Sequence, residues 1–241
     1  MNSQDGSRAF KQRNRIRYMF DAIARRYDLI NRIFSFRQDA VWRKAMLQIV
    51  FKDENRVILD LATGTGEVLL GILKHDDGSR AFGADLSFSM LQGAQRKLKK
   101  KGAEKELLVQ ADAATLCFAD HSIDTVTIAF GIRNFAQLSE SLEDIFRILR
   151  PGGKLVILEF SLPKNFLIRW VYLFYFRYLM TPAAGKLSRQ AEAYKYLDRS
   201  VEAFPEPNII CGHLHTAGFD PVEAKPLTFG VATLYTARRN K

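Results

Sequence analysis

From residue 57 onward, short runs of β-branched and other apolar residues alternate with amphipathic helical stretches, a rhythm that commits the chain to a sheet of parallel strands flanked by helices. Strands are predicted at 57–62, 81–86, 107–111, 125–130, 154–160, 221–227 and 232–237. Helices fall between the first five, at 67–74, 87–101 and 138–149, the last stopped by Pro151-Gly152-Gly153, and another is expected around 208–217. The final two strands are separated only by the few residues around Gly230 and read as a hairpin, which sets an antiparallel strand into a mostly parallel sheet. The predicted class is therefore α/β, with seven strands and helices on both faces.

Two segments stand outside this rhythm. Residues 1–52 read as a basic helical segment with Ile16, Met19, Phe20, Ile23 and Ala24 at three- and four-residue spacing, so that one face packs on the sheet domain, residues 53–241. Residues 163–205 interrupt that domain after the fifth strand, at the carboxyl edge where open α/β sheets bind ligands. Charge follows the same division. The 241 residues carry 36 Lys+Arg against 26 Asp+Glu, a net +10, and residues 1–52 hold 12 basic and four acidic residues, a local +8. Polyanions, an anionic membrane face and acidic ligands all suit such an arm.

Cys117 and Cys211 are too few for a disulfide framework, so a reducing cytosol is expected. His75, His121, His213 and His215 lack partners at metal-ligand spacing, and no metal is expected. The polar, basic start, with no 7–15-residue apolar core ahead of a small-residue cleavage site, leads us to expect no secretory signal. The most hydrophobic stretch, 166–180, contains Arg169 and Arg177 and falls short of the roughly 20 apolar residues of a membrane span.

The sharpest motif is Asp60-Leu61-Ala62-Thr63-Gly64-Thr65-Gly66-Glu67, a buried strand entering a glycine turn and then a helix. Gly64 and Gly66 remove Cβ atoms where a ligand must approach backbone, and the helix start offers free N–H groups. A dinucleotide fingerprint would need a third glycine where Leu69 stands, and no Gly-Lys-Ser/Thr follows for a P-loop. The loop resembles motif I of class I S-adenosylmethionine (SAM) methyltransferases. SAM has a zwitterionic end, so Asp60 is placed to face its ammonium while loop N–H groups serve its carboxylate. Asp85 ends the second strand, 19 residues after Gly66, near the spacing at which an acid bonds ribose hydroxyls. Its plainer alternative is a helix cap, a role for which Ser87 is better suited. Asp112 ends the third strand, where it or the neighbouring backbone would read the adenine amine.

Further blocks are similar to the C-methyltransferases of menaquinone and ubiquinone biosynthesis. They include residues 19–31, with Tyr27-Asp28 and Asn31, then Phe130-Gly131-Ile132-Arg133-Asn134, Leu158-Glu159-Phe160-Ser161 and Tyr194-Lys195-Tyr196-Leu197. The likeness spans roughly residues 17–235. It implies a Rossmann-like fold and methyl transfer from SAM to a ring carbon of a demethylated, polyprenylated quinol. Its cofactor contacts fall on Thr65, Asp85, and Asp112 with Ala113. Some members carry Ser where this chain has Ala129, and Asp is frequent at the position of Glu67. The shorter N-terminus favours the menaquinone branch.

Methylating a ring carbon demands an electron-rich ring, so the reduced quinol is the nucleophile. Arg133 and Asn134 follow the fourth strand, where a guanidinium would stabilise a developing phenolate and an amide would orient the hydroxyl or a water. Arg133 is a poor base, which leaves it electrostatics or water positioning. Tyr27 is a second hydrogen-bonding candidate. The competing assignment pairs Arg133 with a nearby acid and makes Asn134 a helix cap.

Residues 166–178 hold seven of the chain's 28 aromatics. An aromatic, basic-flanked insertion suits a polyprenyl tail at a membrane interface, as a lid or entry groove. The plainer alternative is a helix packed on the sheet domain or at a homo-oligomer interface. With the N-terminal arm, it favours a cytoplasmic protein held at an anionic inner membrane face. An RNA methyltransferase, prompted by the basic arm and the Lys97–Lys101 run, rests on charge alone, since no Asn/Asp-Pro-Pro-Tyr/Phe block or catalytic Cys setting is present. A non-enzymatic Rossmann-like binding protein predicts no SAM affinity.

Overall fold

The computed structural model describes residues 3–24, 28, 32, 35–54, 57–75, 78–103, 107–180, 182–183 and 191–240. Its strands are β1 (Val57–Leu61), β2 (Arg80–Asp85), β3 (Leu107–Gln110), β4 (Ile123–Ala129), β5 (Leu149–Phe160), β6 (Phe219–Leu227) and β7 (Ala232–Arg239). They form one sheet in the order β3-β2-β1-β4-β5-β7-β6. Neighbours from β3 to β5 pair parallel, whereas β7 runs antiparallel to both β5 and β6. The expected antiparallel strand is thus β7, inserted between β5 and the edge strand β6.

Every β1 side chain is buried, as a central strand covered on both faces requires. Leu59 and Leu61 join a core with α5 (Leu138–Ile148) and α8 (Pro207–Thr216), while Ile58 faces α2 (Gln38–Val50) and α3 (Glu67–Leu73). Asp60 shares the strand face of Ile58. Helix α4 (Phe88–Lys100) follows β2, with the Ser87 side chain accepting from Met90 N at 3.1 Å as its N-cap.

The Pro-Gly-Gly sequence acts differently from a simple break. Leu149 already pairs with Ile123, and Lys154 pairs with Thr125, so the residues between them form a bulge in β5. Beyond the bulge, Lys154 is buried and its Nζ donates to Ile49 O at 2.9 Å, Val50 O at 2.7 Å and Asp53 at 3.0 Å. Burial pushes this amine below its ordinary range, and Asp53 opposes the shift. A cation on the last carbonyls of α2 ties that helix to the sheet.

Helix α1 (Ser3–Ile23) lies against α4 and the insertion. Ile23 and Ala24 cluster with Met90 of α4 and with Met180 and Val201 from the insertion, and Phe160 at the end of β5 packs against the same cluster. The insertion holds α6 (Phe166–Phe174), a π-helical turn (Tyr175–Met180) and α7 (Ala191–Glu202). Among the described residues, no helix is long and apolar enough to cross a membrane.

Candidate active site

A cleft opens along the carboxyl ends of β1 to β4, where open α/β sheets bind their ligands. Its floor is the turn after β1. Gly64 and Gly66 take φ of +56° and +81°, left-handed backbone that glycine adopts without strain. Asp60 lies in register with Gly83 of β2 and Thr127 of β4. Its carboxylate accepts from Thr63 Oγ1 at 2.6 Å and Thr127 Oγ1 at 2.8 Å. A Cβ at Gly83 would stand 3.2 Å from Thr63 Cγ2 and 2.8 Å from Leu108 Cδ2, so the bare glycine leaves room for Thr63 to fold back. Burial pushes Asp60 up to about 6, against the opposing hydroxyl bonds.

Asp85 locks two turns together. Its carboxylate accepts from Gly64 N and from Ser87 N, each at 2.8 Å. Burial and the charge of Asp21 push it up to about 6, while those N–H bonds oppose the shift. Ser87 is the helix cap, which frees Asp85 from the alternative role raised above. Asp112 lines the same cleft, but its Oδ2 is paired with Arg13 of α1 at 2.8 Å and its Oδ1 accepts from Ala114 N at 3.1 Å. The acid expected at adenine therefore already holds the N-terminal helix. Ala113, beside it, is buried and lines the cleft.

The N-terminal region grips the cleft at two further points. Asp21 accepts from Ser87 Oγ at 2.5 Å and from Ser89 N at 3.2 Å. Asp28 accepts from Thr65 Oγ1, and Lys97 bridges Asp28 and Glu67, each at 2.6 Å, while also donating to Thr65 at 3.0 Å. Burial opposes ionisation of Glu67, yet Lys97 holds it below the usual carboxylate range. Lys97, which prompted the RNA alternative, is thus committed to internal acids.

The far wall is the turn after β4. Ala62 and Phe130 both have positive φ, 55° and 59°, and a Cβ at Gly131 would stand 2.6 Å from the Ala62 Cβ. Ala62 and Phe130, both lining the cleft, are non-glycine residues in this region and store strain where a site needs fixed geometry. Arg133 is buried; its Nη1 donates to Glu159 Oε1 and to Phe130 O, each at 2.6 Å, and its backbone N donates to Glu159 Oε2 at 3.3 Å. The guanidinium is thus held against the turn and against Glu159 of β5. Asn134 does line the cleft, and its Oδ1 accepts from Tyr196 OH of α7 at 3.1 Å. Tyr27 lies outside the described residues.

The model of the ubiE/COQ5 methyltransferase family matches residues 8–239. The chain belongs to that family. A demethylmenaquinone methyltransferase of Thermus thermophilus is 42% identical over 221 residues, covering 92% of this chain and 100% of that one. A ubiquinone/menaquinone biosynthesis C-methyltransferase of Syntrophotalea carbinolica is 42% identical over 224 residues, covering 93% and 94%. Among solved structures, a SAM-dependent methyltransferase of Thermotoga maritima superposes with a TM-score of 0.64 at 15% identity, covering 93% of this chain and 99% of that one, a likeness of fold.

As a ubiE/COQ5 family member the chain is a SAM-dependent methyltransferase, and the seven-stranded, mostly parallel fold expected from sequence agrees. Reading single motifs missed the ties between segments. Nothing in Arg13 or Asp28 alone marks a partner at Asp112 or Thr65, and Tyr196 stood out only as part of a similar block. Among the described residues, no group of three or more His, Cys, Asp or Glu side chains could hold a metal. His121 and His215 instead meet the carbonyls of Leu149 at 3.3 Å and Phe219 at 3.1 Å, while His75 stacks on Phe51.

Proposed function

We propose that this methyltransferase transfers the methyl group of SAM to a ring carbon of a polyprenylated demethylquinol, demethylmenaquinol first and the ubiquinone-pathway quinol as the alternative. One observation carries it: a single cleft is lined both by the strand-end acids Asp60, Asp85 and Asp112 and by Asn134 of the turn after β4. The names of the relatives supply the quinone class.

The residues present fit SAM. No atom stands within 4 Å of where a Cβ on Gly64 would project, so backbone is open to a ligand. Each Asp85 oxygen accepts one N–H and keeps capacity for a ribose hydroxyl. Asp60 supplies negative charge for an ammonium, Thr65 and Gly66 shape the turn, and Asp112 with Ala113 borders the adenine position. When bound, SAM supplies a methyl group on a positively charged sulfur. The ring carbon gains that methyl and loses its hydrogen as a proton.

Asn134 meets the quinol oxygen and stabilises negative charge on it. Arg133 acts through the turn and through its field. Arg133→Ala is expected to lose turnover while the folded protein keeps its SAM affinity, and to lose about 3–5 kcal/mol of stability because Glu159 is left buried without its counter-charge. Steady-state rates beside a thermal melt check this, and unchanged turnover contradicts it. Tyr27 remains a proposed hydrogen-bonding group at the same oxygen.

The insertion supports a membrane contact. No residue of α6 is buried; Phe166 is 80% exposed, Trp170 58% and Phe174 48%, and the Phe174 ring stacks on Trp170 and meets Tyr178 at a tilt. Such a patch, flanked by the exposed Lys164 and Arg169, suits an anionic lipid interface. Lys164→Glu with Arg169→Glu is expected to weaken binding to vesicles containing anionic lipid, read by sedimentation, by about 30-fold or more, on the order of 1 kcal/mol for each of the two basic charges removed. Unaltered sedimentation argues against this contact.

A further inference from the structure

Asn134 and Tyr196 are 62 residues apart, one in the turn after β4 and the other on α7 of the insertion, and they meet through the 3.1 Å bond from Tyr196 OH to Asn134 Oδ1. The rest of the Asn134 turn is already fixed. Asn134 N donates to Gly131 O at 3.0 Å, and the preceding residue is held on Glu159. What backbone contacts leave undetermined is the orientation of the side-chain amide.

A primary amide presents an acceptor oxygen on one side and two N–H donors on the other. Its two orientations offer opposite chemistry to a ligand. With Tyr196 donating to the oxygen, the NH2 group is the end left for the cleft. Tyr196 is partly buried, and that burial holds its hydroxyl in the protonated form, a standing donor, against the weaker opposing influence of Arg133.

We propose that Tyr196 is a positioning residue for methyl transfer: it fixes the Asn134 amide with its NH2 toward the cleft, so that the site donates to the substrate oxygen and favours its ionised form. This rests on the quinol reading above. A donor suits the oxyanion of a quinol that has lost its hydroxyl proton, and it is the oxyanion that makes the ring carbon nucleophilic. The reversed amide would present its carbonyl oxygen and repel that charge. Since Tyr196 belongs to the same insertion as the exposed aromatic helix, the segment offered to the prenyl tail also sets the group that meets the ring.

The test uses the full-length enzyme and Tyr196→Phe, which removes one hydroxyl and keeps the ring. Expected are a kcat lower by about 10- to 100-fold, with the KM for quinol and the calorimetric SAM affinity within about twofold of the parent, and a rising limb of the pH profile displaced to higher pH. A second readout is independent of turnover: 1-naphthol bound in the presence of S-adenosylhomocysteine, titrated by its absorbance. The parent should lower the pKa of the bound phenol, and Tyr196→Phe should return it toward the solution value. A variant that matches the parent in both pH limb and naphthol titration overturns the proposal, as does a parent that leaves naphthol at its solution pKa. Failure of the parent to methylate any quinol would instead defeat the substrate reading, and the naphthol titration would still decide the role of Tyr196.

Discussion

Asp85→Ala is expected to weaken SAM binding by at least 100-fold. The carboxylate accepts from Gly64 N and Ser87 N, so its removal unlocks the glycine turn from β2 as well as deleting the acceptor for the ribose. Charge-assisted hydrogen bonds of this kind are worth about 1.5–3 kcal/mol each, and a loss of about 3 kcal/mol corresponds to roughly 100-fold in affinity. The same site predicts a pH dependence. Asp60 and Asp85 both stand near 6 in the unliganded fold, above the ordinary 3.8. A carboxyl raised in the folded state favours folding when protonated, so that contribution to stability is complete below 3.8 and is lost as pH rises through about 6. SAM binding draws on the ionised forms, so affinity should rise between pH 5 and pH 7 and binding at pH 6 should release protons. Calorimetric titration in two buffers of different ionisation enthalpy measures the release; identical heats at pH 6 would contradict it.

Asn134→Ala is expected to lower kcat by about 10²–10³ while SAM affinity stays within twofold. The magnitude is that of removing one preorganised donor from a developing oxyanion in a site shielded from water. Asn134 sits on a turn whose backbone is held by Gly131 O and by the buried Arg133–Glu159 pair, so truncating its side chain should leave the wall standing. A loss confined to KM would mean that the amide binds quinol equally in ground and transition states, and a change below threefold would remove Asn134 from the chemistry.

Much of the fold was legible because its signals are local. A buried strand such as β1 reads as a continuous apolar run, and Gly64 with Gly66 marks the turn wherever the strand is packed. The seven strands accordingly fall within a few residues of their expected positions, and the departures have physical causes. β5 begins five residues early because Leu149 pairs across the Pro-Gly-Gly bulge with Ile123, a long-range contact that no local pattern carries.

The site was legible in its strand-end acids, whose spacing reflects the βαβ repeat, and less so in its polar partners. Asp112 could be placed at the end of β3 but not against Arg13, 99 residues away. Arg133 was placed at the cleft by its position after β4, yet Glu159 in the neighbouring strand draws the guanidinium into a buried pair. Asn134 lines the cleft, and its partner Tyr196 lies 62 residues away on α7, a contact that only the folded chain defines.

The central claim is methyl transfer to carbon on a reduced quinol. It is tested most directly by incubating the enzyme with methyl-labelled SAM and, side by side, reduced demethylmenaquinol and the demethylated ubiquinol precursor, then locating the label by mass spectrometry. Label is expected on a ring carbon, greater with demethylmenaquinol and absent when the oxidised quinone is supplied. Label on oxygen, equal label on the oxidised ring, or no label in either quinol from an enzyme that binds SAM would contradict it.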